Sequence, residues 1–363
     1  MNTIITQPFG LADVEAARRR LTAGIRVTPC ALAPALGTLT GRTIWLKRDD
    51  LQRTGSFKER GARHALLSLN EVERARGVVA ASAGNHALGL AYHGAQLGVP
   101  VTVVMPATAP AVKITRCRTL GARVVLQGSS FEEAQCHALA LAADTGATFI
   151  HPFNDRRVIA GQGTMALEIL AQAPALDTLV VPVGGGGLLA GVAIVVKALR
   201  PDVRLVAVEP VGAAGFGAAL RQGAPVNVPL GRTLADGLAV ARVGEETFAL
   251  AAGRVDDVVT VTEDELEAAV AVLARTCGAV VEGAGAAALA AVLAGRVAGR
   301  AVVVPVCGRN IDPKRHADVL ARQPVAFTRG RSGFGPRPSG CPPLRSPREA
   351  PPTAGSTLAG AHA

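Results

Sequence analysis

The sequence predicts an α/β protein of two doubly wound parallel-sheet lobes, and three observations carry that prediction. Short apolar runs without polar alternation recur along the chain, among them Val78-Val79-Ala80-Ala81, Leu179-Val180-Val181-Pro182-Val183 and Ala301-Val302-Val303-Val304-Pro305-Val306. Runs of this kind are strands buried on both faces, which is the mark of parallel sheets. Helical stretches of roughly ten residues or more separate them. At 363 residues the chain is long enough for about two domains. A composition that is 49% hydrophobic but only 3% aromatic builds its cores from Ala, Val, Leu and Ile.

In chain order, the charged-faced pattern Leu11–Leu21 is a helix and Thr43–Lys47 a short strand, followed by a Gly-Ser turn and a helix over 58–69. Strand 78–82 leads into helix 86–97, strand 99–105 into helix 113–120, and Arg123–Leu126 into helix 131–143. Strand 148–150 and helix 163–171 follow, then strand 179–183, a run of four glycines, helix 188–199 and strand 205–208. Strand 258–261 meets Thr262-Glu263-Asp264-Glu265, an N-cap with an acidic first turn. The long apolar run 277–293, interrupted by Glu282, reads as one buried helix, too broken and too rich in Gly and Ala for a membrane span. Strand 301–306 is the last. From Arg329 onward Pro, Gly, Ser and Arg dominate, and the expectation for 326–363 is a disordered tail.

The formal charge of +10 invites a nucleic-acid reading. Five arginines against one glutamate in the tail carry much of it, and one Trp and one Tyr supply no aromatic interleaving for a basic stripe. We expect no nucleic-acid partner. Six cysteines show neither a CxxC pair nor metal-ligand spacing. No charged segment followed by an apolar stretch opens the chain, so the expectation is a cytoplasmic protein with reduced thiols.

In doubly wound sheets ligands sit beyond the carboxyl ends of the strands, so the chemistry is sought in loops that follow them. Lys58, one of only five lysines, stands where such a turn enters a helix. The dipole at a helix start favours the free amine, the form that makes a Schiff base. Gly184, Gly185, Gly186 and Gly187 precede Leu188 between strand and helix, a backbone cradle for a phosphate that lacks the lysine of an ATPase loop. Ser82-Ala83-Gly84-Asn85-His86 joins strand to helix as an uncharged pocket suited to a carboxylate, and Cys307 ends the last strand. Each has a plainer reading alone: a surface lysine, a tight turn, a capped helix with a core histidine, a small buried thiol. Together they point to a phosphorylated aldehyde cofactor acting on an amino acid.

These loops, read in order, resemble the threonine dehydratase (threonine ammonia-lyase) and serine dehydratase family, pyridoxal-phosphate enzymes of the tryptophan-synthase-β fold type, fold type II. The segments LKRDDLQRTGSFKERGA, ASAGNHALGLA, HPFND, VIAGQGTMALEIL, VPVGGGGLLAG, AVEP, TLADGLAV, VTEDEL, VVEGAGAAALAA and CGRNID carry the resemblance over about 10–325. It implies pyridoxal 5′-phosphate as cofactor, with Lys58 as the Schiff-base lysine and the base at Cα. It places Phe57 along the cofactor ring, Asn85 at its phenolic oxygen, Cys307 beside its pyridine nitrogen, and Gly184 to Leu188 around its phosphate. Ser82, Asn85 and His86 would bind the substrate carboxylate. The reaction implied is β-elimination of water and then ammonia from L-threonine, and from L-serine, giving 2-oxobutanoate or pyruvate.

The resemblance also implies a large cofactor-binding domain of 1–68 with 151–325, a small carboxylate-binding domain of 69–150, and a homo-oligomer, dimer or tetramer. The chain departs from the family in four places. Gly308-Arg309 replaces Gly-Gly, and Arg309 can point to solvent, pair with Glu282 or meet a second substrate carboxylate. Ala83 stands where related racemases carry a serine base, against racemisation. Gly215 stands where cation-activated relatives pair an acid with Glu209, so no metal is expected. No regulatory domain follows 325, as in short catabolic members. The alternatives are the same chemistry on hydroxyaspartate or a hydroxyectoine-pathway compound, a serine racemase, or a catalytically silent cofactor-binding protein.

Overall fold

The structure is a computed structural model and describes residues 9–323. Helix α1 (Leu11–Leu21) leads to strands β1 (Cys30–Leu32) and β2 (Thr43–Lys47), joined by α2 (Pro34–Thr40). Next come α3 (Lys58–Leu67), α4 (Glu71–Arg76), β3 (Val78–Ala81), α5 (Asn85–Leu97), β4 (Val101–Met105), α6 (Ala111–Thr119), β5 (Arg123–Leu126), α7 (Phe131–Thr145) and β6 (Thr148–Phe149). The chain continues through α8 (Arg156–Gln172), β7 (Thr178–Pro182), α9 (Gly187–Leu199), β8 (Arg204–Pro210), α10 (Gly215–Gln222), α11 (Glu245–Ala251) and β9 (Asp257–Val261). It closes with α12 (Glu263–Cys277), α13 (Gly283–Leu293), β10 (Ala301–Pro305) and α14 (Pro313–Arg322).

Two sheets result. One has six strands in the order β1-β2-β10-β7-β8-β9, the other four in the order β5-β4-β3-β6. All pairings are parallel except β1 on β2, where Cys30 faces Lys47 across an antiparallel edge. The six-stranded sheet is covered on both faces, as its unbroken apolar strands require. Val180, Val206, Val208, Val302 and Val304 pack with residues of α12 and α13, while Leu179, Val181, Leu205, Ala207 and Val303 pack with α8 and α9. Alternate residues of β3 likewise enter two cores, Val78 and Ala80 with α3 and α5, Val79 and Ala81 with α7.

The run 277–293 is two elements rather than one buried helix. Gly278, at φ +61°, ends α12 with its N–H donating to Leu273 O, and Glu282 starts α13 as its N-cap. Ala279, Val281 and the start of α13 are buried, so the hydrophobicity carries across the break and hides it. Helix α8 begins earlier than expected, at Arg156, because Asp155 caps it by accepting from Arg157 N at 2.8 Å.

Helix α8 is the central strut. A Cβ on Gly161 would lie 2.6 Å from Gly61 Cα of α3, and one on Gly191 of α9 would lie 2.6 Å from Gly163 N. The sequence Ala160-Gly161-Gln162-Gly163-Thr164 therefore seats two helices at backbone contact. Buried charges lock the same junction. Arg60 pairs with Asp49 at 2.6 Å and Glu168 at 2.7 Å, and Lys47 reaches Glu168 at 2.5 Å. Arg60, Asp49 and Lys47 have no more than 1% of their surface exposed. Helix α3, whose first residue is Lys58, is thus fixed on β2 and α8. Among the described residues no helix is long and apolar enough to cross a membrane.

Candidate active site

A cavity of about 940 Å³ opens beyond the carboxyl ends of β3, β7 and β10. Its wall includes Phe57, Lys58, Ser82, Asn85, His86, Gly184, Gly185, Gly186, Gly187, Leu188 and Cys307, the residues expected from sequence to hold cofactor and substrate. The topology explains the convergence, since parallel strands deliver their following loops to one edge.

Lys58 is half-buried in this wall, its Nζ donating to Pro152 O at 2.8 Å and lying 5.3 Å from the Phe57 ring centre. Desolvation lowers its pKa from the usual 10.5 to about 8, partly opposed by the nearby Cys307 sulfur. The Cys307 thiol is itself buried and pushed well above its usual range, first by desolvation and then by the negative charges of Asp49, Glu282 and Asp50. It stays a neutral thiol. The backbone on either side of it carries the Lys58 turn, with Phe57 N donating to Cys307 O at 3.0 Å and Ser56 bridging to Gly308.

The glycine loop owes its shape to two neighbours. A Cβ on Gly185 would sit 2.2 Å from the Phe153 ring, and one on Gly187 would be 3.0 Å from Phe153 Cα. Gly186 takes φ +91° as N-cap of α9, and Thr247 Oγ1 donates to Gly185 O at 2.7 Å. The first-turn N–H groups of α9 have no intrahelical acceptor. With no side chain possible at Gly185 or Gly187, those N–H groups are what the loop offers an anion. Phe153, Pro152 and Asn154 lie in the HPFND segment, where His151 Nδ1 accepts from Phe153 N at 3.3 Å and Asn154 N at 2.9 Å. One turn thus touches the lysine through Pro152 and the glycine loop through Phe153.

At the third loop, Ser82 Oγ accepts from Gly84 N at 3.2 Å, and Asn85 begins α5 with both ends of its amide engaged. Its Nδ2 donates to Glu282 Oε1 at 2.6 Å, and its Oδ1 accepts from Asn310 Nδ2 at 2.6 Å. Burial raises the Glu282 pKa from 4.5 to about 7, helped by the charge of Asp236. His86 is buried against Ile150 O, and desolvation holds its pKa near 3, so its ring is neutral.

Arg309 is exposed and lies over Gly55, whose Cβ would be 3.1 Å from its Cγ. Of the three placements open from sequence, the structure takes the solvent one; Glu282 pairs with Asn85 instead. Glu209 is buried and accepts from Phe216 N at 2.6 Å and Gly217 N at 2.9 Å. Its carboxylate is spent on the start of α10. Among the described residues no cluster of three or more His, Cys, Asp or Glu could hold a metal ion.

A family model described as "Pyridoxal-phosphate dependent enzyme" matches residues 21–308. The chain belongs to that family. It is 46% identical over 303 residues to an L-threonine ammonia-lyase of Thermotoga maritima, covering 83% of this chain and 76% of the relative. A solved threonine deaminase isoform 2 from Solanum lycopersicum matches with a TM-score of 0.81 and 38% identity, covering 86% of each chain. A serine racemase from Dictyostelium discoideum matches at 0.79 and 36%, covering 84% of this chain and 99% of that one. The fold is therefore the type II, tryptophan-synthase-β-like fold of these enzymes. Pyridoxal phosphate fits what this cavity offers. A loop whose side chains Phe153 forbids can face a phosphate, and an amine with a pKa of about 8 can meet an aldehyde.

From sequence alone HPFND carries the resemblance but no role, Asn310 is only part of the CGRNID loop, and Thr247 is unmarked. The motif was the available signal for the first. Nothing local marks Thr247, which reaches the glycine loop only through the tertiary fold.

Proposed function

We propose that this enzyme converts L-threonine to 2-oxobutanoate and ammonia, and L-serine to pyruvate and ammonia. The observation that carries the reading is the amine of Lys58, desolvated to a pKa of about 8 on the same cavity wall as the glycine cradle. Pyridoxal phosphate, when bound, supplies an aldehyde for the substrate amine and a conjugated ring that draws electrons from Cα.

The chain's own residues do the rest. Lys58 Nζ, free of its proton at mildly alkaline pH, takes the Cα proton. Gly184, Gly185, Gly186, Gly187 and Leu188 hold the phosphate by backbone N–H groups at the start of α9. With the cofactor bound, Phe57 would lie along its ring and Asn85 would meet its phenolic oxygen. Cys307, a neutral thiol, would stand beside the ring nitrogen without protonating it, which favours elimination over transamination. Ser82, Asn85 and the first turn of α5 at His86 take the substrate carboxylate; the neutral His86 ring adds no charge there. The large lobe, 1–68 with 151–325, would hold the cofactor, and the small lobe, 69–150, the carboxylate.

Ala83 has no proton to exchange on the opposite face, which speaks against racemisation. Arg309 lies away from the cavity wall, which removes the motive for a dicarboxylate substrate. A cytoplasmic dimer or tetramer completes the reading. The oligomer rests on the resemblance alone; five unpaired cysteines among the described residues fit a reducing compartment.

The test is 2-oxobutanoate release from L-threonine by purified protein with added pyridoxal phosphate, beside Lys58→Ala. We expect turnover in the parent and a loss of at least about a thousandfold in the variant. A yellow parent protein without turnover would refute threonine as substrate while leaving the cofactor site.

A further inference from the structure

The guanidinium of Arg116 on α6 spans two acceptors across the mouth of the cavity. Nη1 donates to Asn310 Oδ1 at 2.7 Å and Nη2 to Thr54 O at 3.2 Å. Asn310 in turn donates through Nδ2 to Thr54 O at 2.9 Å and to Asn85 Oδ1 at 2.6 Å, and Asn85 donates to Glu282 at 2.6 Å. Arg116 and Asn85 belong to helices that flank the four-stranded sheet. Asn310, Thr54 and Glu282 belong to segments around the six-stranded one. The chain of hydrogen bonds therefore crosses the cleft at every link between side chains. Lys113, three residues earlier on α6, makes a parallel crossing to Asp236 at 3.2 Å.

A carboxamide can be turned over with almost no change of shape, so only its partners decide which end faces where. A guanidinium has donors alone, and one placed on Asn310 Oδ1 forces the NH2 group of Asn310 toward Thr54 and Asn85. Asn85 must then present its oxygen to Asn310 and its NH2 to Glu282. Without Arg116, Asn310 Oδ1 loses its donor and the amide is held by Thr54 O and Asn85 alone, so the clamp that Asn310 places on Asn85 loosens.

We propose that Arg116 is a positioning residue: acting through Asn310, it tightens the amide orientation of Asn85 that Thr54 O and Glu282 also favour, and ties α6 across the cavity mouth. The inference rests on the proposed function for the part Asn85 plays in catalysis, but the hydrogen-bond chain does not depend on it.

The experiment compares the full-length parent with Arg116→Ala, Arg116→Lys and Arg118→Ala, the last exposed on the same helix and away from the cavity wall. Two readouts are taken: kcat and KM for L-threonine in the cofactor-loaded protein, and amide hydrogen exchange over 82–88 without added cofactor. Arg116→Ala should raise KM about fivefold with kcat held within about twofold, since an interaction that positions the carboxylate loop is lost while Lys58 is untouched. Exchange over 82–88 should quicken in the same variant. Arg116→Lys, which can still donate to Asn310, should recover at least half of both effects, and Arg118→Ala should move neither.

An Arg116→Ala protein with the parent's KM, or an Arg118→Ala protein with the same defects, overturns the inference and leaves the proposed function standing. A parent without turnover whose exchange still responds to Arg116→Ala sinks the proposed function and keeps the positioning role. A parent without turnover and with no such response sinks both.

Discussion

Lys58 sits where three independent effects act on one amine. It opens a helix, it is desolvated, and the Cys307 thiol on the same cavity wall is held neutral. With its pKa lowered to about 8, the ammonium form prevails below that pH and the reactive amine above it. The rate at which the cofactor-free protein captures pyridoxal phosphate, followed by absorbance, should therefore rise through about pH 8 and then level off. A rate still climbing toward the usual 10.5 would mean the lysine is an ordinary one. Alone this residue reads as a surface lysine; it was legible in the sequence only beside the glycine loop, the Ser82–His86 loop and Cys307. Its hydrogen-bond acceptor was not, because Pro152 is brought to it from 94 positions away. Glu282 was noticed only as a charge in an apolar run and as one possible partner for Arg309; that it caps α13 and holds Asn85 required the break at Gly278 to be seen.

The elements that aim these residues are two helix starts and one strut. At the glycine loop the Phe153 ring occupies the space of any Cβ on Gly185, so Gly185→Ala must displace the ring, the loop or both. We expect at least about a tenfold weaker pyridoxal-phosphate affinity by equilibrium titration, with the far-ultraviolet dichroism of the parent retained. Unchanged affinity would mean the loop is a tight turn and no cradle. At the strut, Arg60 joins Asp49 and Glu168 in the interior. Arg60→Met should cost about 3–5 kcal/mol in denaturant unfolding, because it takes the guanidinium from the fully buried Asp49, whereas the partly buried Glu168 keeps Lys47. A loss below about 1 kcal/mol would place the network among energetically neutral pairs. The strands and most helices were readable from apolar runs and their spacing. The antiparallel β1 edge was not, since three residues carry too little pattern to show direction.

The whole molecule places its chemistry by topology. Two parallel sheets, each covered on both faces, point the carboxyl ends of β3, β7 and β10 at one cavity, and all eleven residues named from the loops line it. Convergence of this kind was legible because the fold class itself dictates which loops meet. What was not legible is how the two sides are stitched, through Arg116, Asn310 and Asn85, since side-chain hydrogen bonds between distant segments leave no local pattern. The expected disordered tail at 326–363 lies outside the described residues.

The central claim is that Lys58 carries the cofactor, and covalent trapping tests it most directly. The protein is incubated with one equivalent of pyridoxal phosphate, reduced with borohydride, digested and mapped by mass spectrometry. The account predicts a single phosphopyridoxyl group on the peptide that contains Lys58, and none there when the protein is denatured before cofactor is added. Label spread over Lys47, Lys113, Lys197 and Lys314 with Lys58 unmodified would contradict it.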